Sequence, residues 1–322
     1  MIWKLRVIRI FELIARLESL RLGVRSKSLT EIKYILKEKS KNKIPGVYAK
    51  KSFGQNFLID SNYIEKIISS LDVQAGETIV EIGAGRGALT RKLIERNARV
   101  FAVELDRDLI PILESEFGDN ENFILIENDA LKLDFRQFAI SDREPIKLVA
   151  NLPYYISTAI LQKLIEQREV FSEMILMLQR EVVERITAPA GNSSRGYLSV
   201  FVEAYCEVEK LFDVPPAAFR PIPKVWSAII KLKVRSKGLI TKMDADEQVF
   251  WEIVSAGFAQ KRKTIFNNLK NARFELAAGV VRGETIEEVL AAAQIEKSRR
   301  AESLTFEEWK NIFEAICEKP IK

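Results

Sequence analysis

The run Asn151-Leu152-Pro153-Tyr154-Tyr155 sets two oxygen acceptors, a rigid turn and an aromatic ring side by side. Such a set suits substitution at an exocyclic amine of a nucleobase. The amine of adenine is a poor nucleophile, because its lone pair is delocalised into the ring. Acceptors placed on its N–H groups favour a pyramidal nitrogen whose lone pair points at an incoming carbon. The Asn151 side-chain oxygen and the Leu152 carbonyl can be those acceptors, Pro153 stiffens the turn, and Tyr154 offers a face on which the base can stack.

A second group of residues suits an adenosyl cofactor. Glu81-Ile82-Gly83-Ala84-Gly85-Arg86-Gly87 follows a short apolar run, and glycines there let the backbone turn sharply and approach a ligand where a Cβ would clash. The spacing is GxGxG and not the GxGxxG of dinucleotide sites, which weighs against a nicotinamide dehydrogenase. Glu104 ends the next apolar run, where a carboxylate can hold both hydroxyls of a ribose. Asp129 follows the third, where it can accept from an adenine amino group.

The composition removes other chemistries. The 322 residues contain no histidine, which excludes a Ser-His-Asp triad, a histidine base and any histidine-ligated metal. Cys206 and Cys317 are the only cysteines, too few for a disulfide framework or a zinc cluster, and are expected as small buried hydrophobes. Residues 1–51 hold 14 Lys and Arg against 4 Glu, while the whole chain is +5, so the remainder is net acidic. A basic arm on an acidic body fits a polyanionic partner. Lys261-Arg262-Lys263, beside Phe258 and Phe266, is expected to open a helix and grip RNA phosphates, with Arg195 in the loop 190–196 helping. No apolar run reaches the ~20 residues of a membrane span, and the charged 1–22 stretch does not fit a secretory signal, so a cytoplasmic location is expected.

These residues need a scaffold that gathers strand ends. Strands are predicted over 78–82, 99–104, 123–127, 146–150 and 173–178, with helices over 88–97, up to 116 and over 158–168. Strands alternating with helices imply a parallel, doubly wound α/β sheet, whose carboxyl edge binds ligands. Two more strands, 205–214 and 226–234, flank a Pro-rich loop at 215–223. Helices alone are expected beyond 237, over 247–259, 264–271, 286–293 and 305–317. Before the sheet, an amphipathic helix over 1–27 (Leu5, Ile8, Leu13, Leu17 and Leu20 on its apolar stripe), a second over 31–39 and a basic connector over 41–51 are expected. The domains so drawn are a basic helical extension at 1–45, a catalytic domain at 46–236 and a helical RNA-binding domain at 237–322.

Residues 50–275 resemble the KsgA-type ribosomal RNA small-subunit adenine N6,N6-dimethyltransferases. The segments that carry the likeness are KSFGQNFL at 51–58, EIGAGRG at 81–87, VELD at 103–106, NDAL at 128–131 and NLPYYIST at 151–158. QREVVERI at 179–186, FRPIPKVWSA at 219–228 and FAQKRKTIFNNL at 258–269 complete the set. The resemblance implies a class I methyltransferase fold (a Rossmann-like sheet) with a small all-helical C-terminal domain. It also implies S-adenosyl-L-methionine contacts at Asn56, Leu58, Gly83, Gly85, Glu104, Asp129 and Asn151, and a target adenine held between Tyr154 and Phe219. The implied substrate is small-subunit ribosomal RNA near its 3′ end, free or in a pre-assembled subunit, modified by a monomer without a membrane. Two departures stand out: Trp226 occupies a position where the family usually has Asp, and residues 1–27 extend beyond the usual start. The rival readings are an erythromycin-resistance-type enzyme acting on large-subunit RNA and a non-catalytic nucleic-acid-binding relative.

Overall fold

The computed structural model describes residues 54–139, 145–235, 247–270, 272–276, 279–282 and 286–317, all within one compact unit, Tyr48–Lys322. The expected N-terminal helices and basic connector lie outside the described residues, as does the expected domain boundary at 236/237.

The chain enters through a two-residue strand, β1 (Phe57–Leu58), and a helix, α1 (Ser61–Ser70), whose first turn is capped by the Asp60 carboxylate accepting from Asn62 N–H. Strands and helices then alternate: β2 (Thr78–Ile82), α2 (Ala88–Glu95), β3 (Arg99–Glu104), α3 (Ile110–Phe117), β4 (Phe123–Glu127), β5 (Ile146–Asn151), α4 (Ser157–Glu166) and β6 (Phe171–Gln179). Two helices follow, α5 (Arg180–Ile186) and α6 (Tyr197–Tyr205), before β7 (Cys206–Val214), the short β8 (Phe219–Arg220) and β9 (Ser227–Val234).

Seven of these strands form one sheet in the order β4-β3-β2-β5-β6-β9-β7. The first five run parallel, as the alternating pattern predicts, but β9 is antiparallel to both β6 and β7. The sheet is therefore mixed, with its antiparallel part at one edge. A β-strand joined to the next without a crossover helix must return antiparallel, and β7 and β9 are joined only by the Pro-rich loop and β8.

The parallel strands are apolar almost throughout because both sheet faces are covered. Along β6, Met174, Leu176 and Leu178 enter one buried cluster while Ile175 and Met177 enter the other; β5 divides Leu148 and Ala150 from Val149 in the same way. The second cluster takes Ile64, Ile67 and Ile68 of α1, Leu89 and Leu93 of α2, and Leu113 and Phe117 of α3. The first continues without a break from α4 into the C-terminal helices α7 (Glu247–Gly257), α8 (Ile265–Leu269), α9 (Ile286–Ala292) and α10 (Phe306–Cys317). Phe250, Ile253, Trp309 and Ile316 are fully buried in it.

Three expectations need correction. Tyr205 closes α6 and does not open a strand, because Tyr197–Tyr205 buries residues on nearly every side and so lacks the one-sided period that marks a surface helix. The C-terminal segment is not all-helical: β10 (Arg273–Leu276) pairs antiparallel with β11 (Gly279–Arg282), Arg273 opposite Arg282 and Leu276 opposite Gly279. Four-residue strands separated by a short Ala-Ala link present too few alternations to register as strand. Lys261-Arg262-Lys263 lies in the exposed turn ahead of α8, whose N-cap is Thr264. Among the described residues, no helix is long and apolar enough to cross a membrane.

Candidate active site

The ends of β2, β3, β4 and β5 meet at the carboxyl edge of the sheet, and the loops leaving them line a cavity open on one side, about 820 Å³ with the solvent at its mouth included.

Beyond β2, the backbone turns through Gly83 (φ +75°) and Gly85 (φ +61°), both in the left-handed region. Gly83 N–H donates to the Val103 carbonyl at 2.8 Å, drawing the loop across β3. A Cβ on Gly83 would stand 3.3 Å from the Asn151 carbonyl oxygen, and one on Gly85 3.3 Å from the Phe57 ring, so bare backbone forms this wall. Glu104, at the end of β3, is held on both oxygens by main-chain donors. Gly85 N–H reaches Oε2 at 2.8 Å, while Leu105 and Asp106 N–H reach Oε1 at 2.9 and 2.8 Å. Burial pushes the Glu104 carboxyl above its ordinary pKa, against the pull of those N–H groups.

Beneath this wall lies Glu81, 1% exposed, accepting from Thr90 Oγ1 at 2.5 Å. Burial, with the Glu104 charge adding, pushes its pKa to about 8, so the group is largely protonated at neutral pH. After β4, the Asp129 carboxylate lines the cavity, with Oδ1 accepting from Leu131 N–H at 2.9 Å.

The opposite side carries the NLPYY segment. Asn151 ends β5, and its Nδ2 donates to the Asn56 carbonyl at 3.2 Å; the Asn56 amide in turn donates to the Gly54 carbonyl at 3.1 Å. The first bond fixes the nitrogen of the Asn151 side-chain amide, and the residue is part of the cavity lining. The Tyr154 hydroxyl lies 2.6 Å from Ser227 Oγ at the start of β9, and Ser157 Oγ donates to the Tyr154 carbonyl at 3.1 Å. Burial raises the Tyr154 pKa, so the ring stays neutral.

Of the residues singled out in the sequence, Asn56, Gly83, Gly85, Glu104, Asp129, Asn151, Leu152 and Tyr154 line this one cavity. Leu58 and Phe219 do not. They face each other across the β1–β8 pair inside the second core cluster, Phe219 fully buried and Leu58 5% exposed beside a smaller neighbouring recess. Lys261, Arg262 and Lys263 are exposed, away from the cavity lining. Arg195 is buried against the Ala188 carbonyl at 2.9 Å and Glu203 at 2.5 Å, which removes it from phosphate contact.

The structure adds Gln55, Asp106 and Tyr155 to the lining. Gln55 Nε2 donates to Asp106 Oδ2 at 2.7 Å, tying the segment before β1 to the turn after β3 across 51 residues of sequence. Both partners lie in segments already conspicuous in the sequence, but only the fold brings them together. Tyr155 is 60% exposed, and its ring lies against Gly54, with a Cβ there 3.4 Å from Tyr155 Cδ1.

The model of the ribosomal RNA adenine dimethylase family matches residues 46–312. The ribosomal RNA small subunit methyltransferase A of Saccharophagus degradans is 43% identical over 278 residues, covering 86% of this chain and 98% of that protein. The enzyme of the same name from Alkaliphilus metalliredigens is 39% identical over 83% of this chain and 91% of its own length. Among solved structures, a dimethyladenosine transferase from Plasmodium falciparum superposes with a TM-score of 0.65 at 26% identity, covering 80% of this chain and 95% of that one. The 23S rRNA methyltransferase ErmE superposes at 0.62 with 24% identity over 82% of this chain and all of its own, a likeness of fold.

Proposed function

Since the chain belongs to the ribosomal RNA adenine dimethylase family, we propose that it dimethylates the N6 amines of adjacent adenosines near the 3′ end of small-subunit ribosomal RNA, using S-adenosyl-L-methionine. The observation that carries this reading is Asn151 at the end of β5, its amide nitrogen held on the Asn56 carbonyl, in the same cavity wall as Leu152 and Tyr154. A nicotinamide enzyme has no use for such an acceptor beside a stacking ring.

The cavity fits the cofactor on its own terms. The bare backbone at Gly83 and Gly85 admits a close-lying chain, the fixed Glu104 carboxylate suits vicinal ribose hydroxyls, and Asp129 suits an adenine amine. Asn56 closes the same side. When bound, S-adenosylmethionine supplies an electrophilic methyl group on a sulfonium. The residues of the chain supply position and polarity. Asn151 Oδ1 and the Leu152 carbonyl accept from the target N–H groups, and the Tyr154 ring supports the base. The attacking nitrogen becomes cationic and its proton acidic, so it leaves to water without a general base, which suits a chain lacking histidine. In this reading Leu58 backs the cofactor wall, and Phe219, its partner across the β1–β8 pair, is the second ring against the target base.

Residues 46–236 serve in this reading as the catalytic part and 237–322 as the part that grips RNA, with the exposed Lys261, Arg262 and Lys263 on phosphates, in a cytoplasmic monomer. The Glu81, Gly83, Glu104, Asp129 and Asn151 set is complete, which counts against a non-catalytic relative. The 39–43% identical small-subunit enzymes count against a large-subunit substrate.

The test uses labelled cofactor with unmethylated small subunits, large subunits and free ribosomal RNA, followed by nucleoside analysis. Dimethyladenosine from small-subunit RNA alone is the expected product. Label confined to large subunits, or no transfer despite measurable cofactor binding, would overturn the reading.

A further inference from the structure

Outside the cavity, the loop from β8 to β9 carries the largest exposed apolar groups near the site: Ile222 is 60%, Val225 39% and Trp226 43% exposed. Exposed apolar groups gathered on one short loop, rather than scattered singly, are the kind of patch that marks an interaction surface. Three cations stand on the same short stretch or against it, namely Arg220, Lys224 and Arg180, all exposed.

The placement of Trp226 is fixed. Its carbonyl accepts from Arg180 N–H at 2.9 Å, and the Arg180 guanidinium lies over the indole, 5.5 Å from the ring centroid. Gln179 and Ser227 are register partners in β6 and β9, so Arg180 and Trp226 both stand just beyond the carboxyl end of β6. That is the edge on which the cavity opens. Ser227, the next residue, holds the Tyr154 hydroxyl. In the sheet, β9 is two strands from β5, a lateral distance of about 10 Å. Arg180 covers one face of the indole, and the ring remains 43% exposed.

We propose that Trp226, backed by Arg180, is a stacking platform for the base of the nucleotide next to the target adenosine, with Arg220 and Lys224 on its phosphates. The inference rests on the proposed RNA methyl transfer and deepens it, assigning a specificity-determining position to the loop. Every base has a π-face, and stacking on an aromatic ring strengthened by a cation is how single-stranded RNA is commonly held without sequence readout. The platform holds the strand splayed while one base enters the cavity.

The experiment compares wild type with Trp226→Phe, Trp226→Ala and Trp226→Asp in methyl transfer to unmethylated small-subunit RNA, alongside cofactor titration and thermal melting. Trp226→Ala and Trp226→Asp should raise KM for RNA roughly five- to fiftyfold. Cofactor affinity should hold, and Trp226→Phe should stay within about threefold of wild type. Tryptophan fluorescence should be quenched on adding RNA to wild type, and that quench should be absent in Trp226→Phe. A KM in Trp226→Asp within twofold of wild type, or an undiminished quench in Trp226→Phe, would overturn the platform. A melting loss that tracks the KM loss in Trp226→Phe as well would reduce Trp226 to a cover for Arg180. Should wild type transfer no methyl group at all, the functional reading fails, and the fluorescence comparison still decides whether RNA lies on this ring.

Discussion

The two sides of the cavity are built on opposite principles. On the cofactor side, polar groups are already spoken for: three main-chain N–H groups clasp the Glu104 carboxylate, and Glu81 lies buried beneath it under a threonine hydroxyl. On the base side, the Asn151 amide nitrogen is held on Asn56 but the aromatic rings are left open, with Tyr155 60% exposed in the cavity wall and Trp226 43% exposed on the loop outside it. The difference follows from what each side must recognise. A small cofactor of constant shape is best met by rigid, dehydrated groups that need no reorganisation on binding. A base delivered on a polymer, first unmodified and then monomethylated, needs a surface that accepts it in more than one state. The first side therefore holds its carboxyl groups dehydrated and already bonded, and the second leaves rings exposed.

If the base side acts through one oriented acceptor, Asn151→Ala should give the largest effect, lowering turnover by roughly a thousandfold, in the upper range for loss of a preorganised polar group. Cofactor affinity should change little, since the clasp on Glu104 does not involve Asn151. Turnover near wild type would show that the Leu152 carbonyl suffices and that the contrast between the two sides is false.

The buried carboxyl can be read by titration. The unfolded chain releases the Glu81 proton near pH 4.5, whereas the folded protein holds it to about 8. The carboxyl therefore favours folding fully below pH 4.5, and this contribution is lost as pH rises toward 8. Glu81→Gln should flatten the pH dependence of stability over that window and raise stability at pH 8 by up to about 4 kcal/mol. Denaturant melts at pH 5 and pH 8 check this. Parallel slopes for the two proteins would mean that Glu81 is charged in the folded state.

On the same side, Glu104→Ala should weaken cofactor binding by about 1–3 kcal/mol, the loss expected when charged hydrogen bonds to a ligand vanish. Calorimetric titration measures it directly. An unchanged dissociation constant would place the ribose elsewhere and leave Glu104 as a brace for the Gly85 turn alone.

How much of this was legible in the sequence also divides between the two sides. The cofactor side is local in sequence: Gly83, Gly85, Glu104 and Asp129 each fall at the end of a regular apolar strand, and strand ends in a parallel sheet converge. The strands could be placed for a related reason, since β2, β3, β5 and β6 are buried along most of their length and are largely apolar. The base side depends on pairings that no local pattern reports. Gln55 finds Asp106 across 51 residues, and Tyr154 finds Ser227 across 73. Phe219 faces the core because the β1–β8 register pairs it with Leu58, although its motif suggested an open pocket. The hairpin β10–β11 was invisible because four-residue strands carry almost no period, and α6 because it is buried around most of its circumference.

The smallest effect belongs to the bond that joins the base side to the rim. Tyr154→Phe keeps the stacking ring and removes only the hydroxyl that meets Ser227 Oγ at 2.6 Å. If that bond merely satisfies a half-buried phenol, deletion should cost about 1 kcal/mol of stability and leave kinetics alone. If it holds the Tyr154 ring in register with the β8–β9 loop, turnover should fall by about three- to tenfold while cofactor affinity stays constant. The second outcome is expected, because Ser227 is fully buried and paired with Gln179 in the sheet, so it offers a fixed point to an otherwise rotatable ring. A Ser227→Ala change should then lower turnover by the same factor, and combining the two should cost no more than either alone. Additive losses would show that the hydroxyls act separately and that the rim does not position the base.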